Sequence, residues 1–259
     1  GIRRAGVVNT GVLDEVAKHI RAGMSTLEID QICRRYCDEH NAIPACLNYG
    51  GDEETPPFPM SVCTSINEVV CHGVPKAEDI LEEGDIINVD VTTILGGYYA
   101  DASRMFVIGK TTPEKQRLVD VARECLQIGI EACHPYCFVG DIGNSIARHA
   151  HKNGFTVVRD LCGHGVGLEV HEAPSIPNCP SRGANPRIQA GMVLAIEPMI
   201  NEGTDEVITG TDDNDWTVVS ADGSWSCHEE HTVAVFKDHT EVLTDLDYNG
   251  NSCLKGTTL

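Results

Sequence analysis

No apolar run in this 259-residue chain approaches the ~18 residues that a membrane-spanning helix needs, so no transmembrane helix is expected. Positive charge is scarce: 19 Lys and Arg stand against 39 Asp and Glu, a formal net charge of −20. That balance argues against a nucleic-acid or membrane partner held by bulk electrostatics, though not against a local basic patch. None of the 12 cysteines forms a C-x-x-C pair of the kind used in zinc ribbons or redox sites. The nearest pairs are Cys33/Cys37, in a helical stretch, and Cys133/Cys137, interrupted by Pro135. Cysteine density is below that of a disulfide scaffold. Most are expected to be small buried hydrophobes in a reducing cytosol, the alternative being an extracellular chain with bridges. Gly1–Gly6 has neither a signal-peptide pattern nor a starting Met, which fits a processed or trimmed chain. No Ser-, Pro- or Gly-rich linker divides the sequence, so one domain over 1–259 is expected.

The residues that are present suggest two similar halves, about 1–109 and 110–259. Residues 2–20 carry a helical apolar stripe through Ile2, Ala5, Val8, Val12, Leu13, Val16 and Ile20, with Gly23 as a stop. Ser25 to Glu28 has capping-box spacing and opens a second helix through Ile29, Ile32, Cys33 and Tyr36. Asn41 to Pro59 is irregular, and its acids Asp52, Glu53 and Glu54 read as a solvated loop. In the second half Pro113 starts a helix to about Cys133, and Asp141 caps another that ends near Gly154. Gly84 to Asp90 and Gly191 to Glu197 both place an acid six positions after a glycine, at the end of an apolar run. Each half therefore reads helix–helix–strand–strand. The expected architecture is a pseudo-twofold α+β domain, with antiparallel sheets around a central cleft and helices outside.

Asp90 and Asp101 flank the glycine turn of a β-hairpin, Ile86–Thr92 returning through Tyr98–Val107. A turn centred on Leu95-Gly96 sets Asp90 directly opposite Asp101, with Cβ atoms roughly 5 Å apart. A turn centred on Gly96-Gly97 sets Asp90 opposite Ser103, and both acids still share a face because the strand period is two. Two carboxylates about 4 Å apart repel by roughly 4 kcal/mol at a partly buried site. A cation or shared proton offsets that cost; two solvated acids on an exposed face are the plain alternative.

Other segments bear on the choice. His164 stands among Gly163, Gly165 and Gly167, which allow close backbone approach. The segment lacks the Walker lysine and the dinucleotide spacing, and taken alone it reads as a turn. Glu197 ends an apolar strand before Pro198, and Glu230 precedes another strand, in a segment that alone reads as a charged turn. Asp90, Asp101, His164, Glu197 and Glu230 make four carboxylates and one imidazole. If these converge, their burial without cations would exceed a domain's whole stability, and two divalent metals would neutralise them. An oxygen-rich set with one nitrogen suits Mn, Fe(II), Co or Zn. Two such ions roughly 3.5–4 Å apart would hold a hydroxide and polarise a carbonyl, a hydrolase arrangement.

At these residues the sequence resembles the type I methionine aminopeptidases, a family of pita-bread fold. The stretches that carry the resemblance are Ser61–Gly73, Gly84–Asp101, Gly163–Gly167, Gly191–Met199, Asp215–Val218 and Glu230–Thr232, in that order over nearly the whole chain. The resemblance implies that Asp90 chelates one metal, Asp101 and Glu230 bridge both, and His164 and Glu197 bind the second. Glu197 would also orient or deprotonate the bridging water. His72 would contact the amide on the leaving side, and His171 would donate to the carbonyl oxygen. Cys46, Tyr49, Phe58, Cys63, Val170 and Trp216 would line the methionine pocket; ordinary core is the alternative for each. Substrates would be peptides with an N-terminal Met and a small second residue, met in the cytoplasm and at the ribosome, by a monomer.

About 33 residues separate His164 from Glu197, too few for the insertion of the type II enzymes. Three departures from the family pattern stand out. Residues around Asp52 to Pro57 look inserted, Val170 replaces a usual aromatic, and Cys227-His228-Glu229 replaces an Ala-Gln-aromatic stretch. They predict altered pocket shape with the chemistry retained. The rival readings are an Xaa-Pro peptidase on the same fold and a non-catalytic binding module.

Overall fold

The computed structural model describes residues 1–53, 55–180, 183, 185–210 and 215–245; Glu54 of the acidic loop lies outside them. The first apolar stripe winds as α1 (Ile2–His19), burying Ala5, Val8, Val12, Leu13 and Val16. The expected capping box opens α2 (Thr26–Glu39): Ser25 Oγ accepts the Glu28 N–H, and the Glu28 carboxylate accepts the Ser25 N–H at 2.8 Å. Two end donors are thereby satisfied. There follow β1 (Ile43–Pro44), β2 (Cys63–Ile66), β3 (Val69–Cys71), β4 (Ile86–Leu95) and β5 (Tyr98–Val107).

Thr112 caps α3 (Pro113–Ala132), with its hydroxyl accepting the Lys115 N–H at 3.2 Å. α4 (Val139–Lys152) begins ahead of the expected position. Asp141 sits inside its first turn and accepts the Phe138 N–H at 2.8 Å, where a negative charge meets the positive end of the helix dipole. The remaining strands are β6 (Thr156–Val157), β7 (Cys162–Gly165), β8 (Glu172–Pro177), β9 (Val193–Ile196), β10 (Met199–Asn201), β11 (Val207–Thr209), β12 (Val218–Ser220), β13 (Ser226–His228), β14 (Glu230–Val235) and β15 (Thr240–Val242).

The strands of the two halves form one antiparallel nine-stranded sheet in the order β1-β4-β5-β14-β9-β7-β8, with β2 added on β4 and β15 on β14. β5 and β14 join the halves through Ser103↔Glu230 and Ala102↔His231. Two three-stranded sheets, β13-β10-β6 and β11-β12-β3, complete the architecture. Among the described residues no helix is long and apolar enough to cross a membrane.

Alternation assigns the two faces of the large sheet. Ile87, Val89 and Val91 of β4 pack under α1 and α2 with Val12, Leu13 and Ile29. Leu194 and Ile196 of β9 and Val233 and Val235 of β14 pack under α3 and α4 with Leu118, Ala122, Ile142 and Ile146. Each fully buried side chain of this size contributes about 1.5–3 kcal/mol, so the helix-facing side is a firm base. The intervening residues face the other way. Asn9 of α1 fastens the hairpin from behind, its Nδ2 donating to the carbonyls of Val91 and Ala100.

Candidate metal centre

The hairpin turn decides between the two registers. Gly96 and Gly97 have φ of 60° and 82°, the pair of positive values that a two-residue type I′ turn needs. Asp90 therefore pairs with Ser103, and Thr92 with Asp101. The sheet then lines up Asp90, Ser103 and Glu230 across β4, β5 and β14. Asp101 lies two residues along β5 on the same face. His164 enters opposite Ala195, and Glu197 lies two residues beyond Ala195.

Glycines beside His164 are required by space. A Cβ at Gly163 would stand 2.3 Å from the Ala195 carbonyl oxygen, and one at Gly165 would stand 2.5 Å from that of Ala173. His164 Nδ1 donates to the Gly165 carbonyl at 2.9 Å, which leaves Nε2 facing the cluster. That nitrogen lies 3.3 Å from Glu197 Oε1 and 3.8 Å from Asp101 Oδ2. Ligand atoms of Asp101, His164 and Glu230 all fall within 4.8 Å of one another. Thr92 Oγ1 donates to Asp101 Oδ1 at 2.8 Å, and Asn178 Nδ2 holds the Glu197 carbonyl at 3.0 Å.

Mutual repulsion and burial shape the electrostatics. Burial, then Asp101, pushes Asp90 far above the usual carboxylate range. Burial, then Asp101, Glu197 and Asp90, does the same to Glu230. Burial raises Asp101 to about 6, against the pull of His164 and the Thr92 hydroxyl. Burial also works to raise Glu197, but contacts with His164 and His228 outweigh it and hold this acid at about 2. Burial works to lower His164, and Glu197 overcomes it, lifting the imidazole to about 9. The pocket is thus short of positive charge and recruits protons in its place. Asp90 Oδ1 is buried with no hydrogen-bond partner. That orphaned oxygen and the mixed carboxylate–imidazole donor set fit borderline divalent cations.

Around this cluster is a cavity of about 190 Å³. Every sequence-predicted ligand, histidine and pocket residue lines it: Asp90, Asp101, His164, Glu197, Glu230, His72, His171, Cys46, Tyr49, Phe58, Cys63, Val170 and Trp216. Phe58 meets Trp216 edge-on at 5.7 Å, and His72 meets it at 6.5 Å. His72 adopts a left-handed φ of 54°, backbone strain of a kind that gathers at functional sites. Burial lowers its imidazole. His171 packs edge-on to His164 at 4.3 Å, and its Nδ1 lies 2.6 Å from the Tyr49 hydroxyl. Burial, then the neighbouring His164, lowers His171 to about 4. The loop that carries Pro56 reaches the same wall, where Trp216 Nε1 donates to the Pro56 carbonyl at 2.8 Å.

Thr92, Met199, Cys162, Leu161 and Ala45 also line the cavity and went unread in the sequence. Thr92 was within reach, two residues after Asp90 on a period-two strand. His228 is a further omission: it is 2 % exposed, with Nε2 3.3 Å from Glu197 Oε2. Its neighbour Glu229 is buried against Arg123, at 2.9 Å from the guanidinium Nε.

Known proteins resemble this chain over most of its length. Residues 1–237 match metallopeptidase family M24. Methionine aminopeptidase A of Synechocystis sp. is 46% identical over 243 residues, covering 94% of this chain and 93% of the relative. The Treponema pallidum methionine aminopeptidase is 44% identical, covering 95% of this chain and 92% of its own. The crystal structure of the Rickettsia prowazekii methionine aminopeptidase superposes with a TM-score of 0.88 at 42% identity, covering 94% of this chain and 95% of that one.

Proposed function

This chain belongs to metallopeptidase family M24 and, within it, to the methionine aminopeptidases, and we propose that it works through two divalent cations held by Asp90, Asp101, His164, Glu197 and Glu230. The observation that supports this most is the gathering of Asp101, His164 and Glu230 ligand atoms within 4.8 Å, beside a partnerless Asp90 oxygen. Asp90 would serve one ion, His164 and Glu197 the other, and Asp101 and Glu230 both. Mn, Fe(II), Co and Zn all suit this donor set. When bound, such a pair supplies Lewis acidity toward the carbonyl and acidifies the attacking water.

The protein's own groups supply the remainder. Glu197 would help orient or deprotonate the attacking water. His171 donates from Nε2 to the carbonyl oxygen as negative charge develops there. The Tyr49 hydroxyl hydrogen-bonds Nδ1 of that ring, and by donating there would leave the ring's proton on Nε2. His72 contacts the amide on the leaving side. Cys46, Cys63, Phe58, Tyr49, Val170 and Trp216 offer a polarizable and aromatic wall to a thioether side chain. A free α-amino group would bind near the metal-holding residues, which restricts the reaction to chain ends.

The substrates are peptides that begin with Met and carry a small second residue, met as nascent chains at the ribosome. We place the enzyme in the cytoplasm as a monomer, and the free thiols among its described cysteines are in keeping with a reducing compartment. Hydrolysis of Met-Ala-Ser with Mn or Co, before and after chelation, tests this reading. Metal-dependent release of Met is expected, and full turnover by the stripped protein would contradict it. An Ala-Pro peptide in the same panel separates the reading from an Xaa-Pro peptidase.

A further inference from the structure

Glu197 carries two tasks in this site, and its carboxylate needs a fixed orientation for both. It stands just past the end of β9, where Pro198 follows and the strand ladder no longer holds the chain. Asn178 clamps its backbone, with Nδ2 on the Glu197 carbonyl at 3.0 Å. The two carboxylate oxygens face different imidazoles. Oε1 is 3.3 Å from His164 Nε2, on the cavity side. Oε2 is 3.3 Å from His228 Nε2, a ring that does not line the cavity.

The polar side-chain atom found closest to the His228 ring is Glu197 Oε2, at 3.3 Å. The ring is 2 % exposed, and neither nitrogen has an aligned hydrogen-bond partner. Burying an unsatisfied polar group costs about 1–3 kcal/mol, so a packing role alone would be met better by an apolar side chain. The backbone around it is locked. β10 pairs with β13 so that Met199 lies opposite His228, which ties the ring to a position two residues along from Glu197. The His228 carbonyl also accepts from Asn88 Nδ2, on the strand that bears Asp90.

We propose that His228 is a positioning residue for Glu197: it donates from Nε2 to Oε2 and thereby presents Oε1 to the cation that His164 also binds. The inference rests on the metal-binding role of Glu197 above and assigns the partner that orients it. Partners of this kind, behind a metal ligand, typically change affinity or activity 10–100-fold when removed.

The test titrates cobalt(II) alone into the metal-free full-length chain and into His228→Ala and His228→Gln, following heat and the visible d–d absorption. His228→Ala should weaken cobalt binding about 10–100-fold and alter the d–d bands. With saturating metal, kcat on Met-Ala-Ser should fall while KM stays within about twofold, because the methionine wall is untouched. His228→Gln keeps an N–H donor at similar reach and should recover most of both losses. Equal losses in the two variants, or wild-type cobalt affinity and kcat in both, would overturn the proposal. A loaded wild-type chain that leaves Met-Ala-Ser intact, while cobalt still separates the variants in this order, would count against the peptidase reading and leave the role of His228 standing.

Discussion

The Tyr49 hydroxyl lies 2.6 Å from His171 Nδ1, a hydrogen bond that joins the methionine wall to the imidazole assigned to the scissile carbonyl. Burial and His164 keep that imidazole neutral, so it has one proton to place, and a hydroxyl that donates to Nδ1 would direct that proton to Nε2. Loss of an oxyanion donor costs about 10²–10³ in kcat. His171→Ala should show a loss of that order. Tyr49→Phe should lose about tenfold, since it removes only the bias between tautomers. Steady-state kinetics on Met-Ala-Ser check both. An undiminished kcat in Tyr49→Phe would remove the tyrosine from the mechanism.

Asp101→Asn should have opposite effects on the metal-free and metal-loaded protein. Without metal, Asp101 is a buried acid raised to about 6 and set against Glu197. Its folded pKa lies above its unfolded value, so at pH 7 the ionised group opposes folding. Removing it should stabilise the stripped chain. With metal, the same change removes a ligand assigned to both ions, and most of the bound metal should be lost. Thermal unfolding with and without chelator, together with elemental analysis, reads both signs. Wild-type metal content in Asp101→Asn would contradict the bridging role.

His231 sets an acid limit on the fold. Burial, then Arg104, lowers it to about 4, and its Nδ1 contacts Thr244 Oγ1 at 2.9 Å. The unfolded chain therefore binds this proton near pH 6.5, while the folded chain resists it until about pH 4. Its contribution is full above pH 6.5 and is lost as pH falls through that window. In chelator, denaturant midpoints of the wild type should drop more steeply between pH 6.5 and 4 than those of His231→Gln. Parallel curves would show that His231 does not titrate as described.

Much of this was legible in the sequence, for physical reasons that differ from element to element. α1 and α3 show long stripes of period 3.6, and α2 announces itself by a capping box, so periodicity and local hydrogen bonding suffice. The hairpin was legible except for its register. Both acids share a face in either alignment, and only the conformations of Gly96 and Gly97 choose Asp90↔Ser103. The short strands β10 to β13 were not legible, since three residues give no period, and their pairing depends on distant segments. The union of the halves through Ser103↔Glu230 is a contact between remote parts of the chain, beyond local pattern. At the site, the carboxylate–imidazole set and thirteen of the cavity-lining residues were readable from motifs and the resemblance, whereas Thr92, Met199, Cys162, Leu161, Ala45 and His228 were not. His228 reaches the cluster only at one remove, through Glu197.

The most direct measurement is anomalous scattering from crystals grown with Mn or Co. Two peaks roughly 3.5–4 Å apart are expected within reach of Asp90, Asp101, His164, Glu197 and Glu230. No ordered metal at that cluster, or ions bound only elsewhere on the molecule, would contradict the dinuclear assignment.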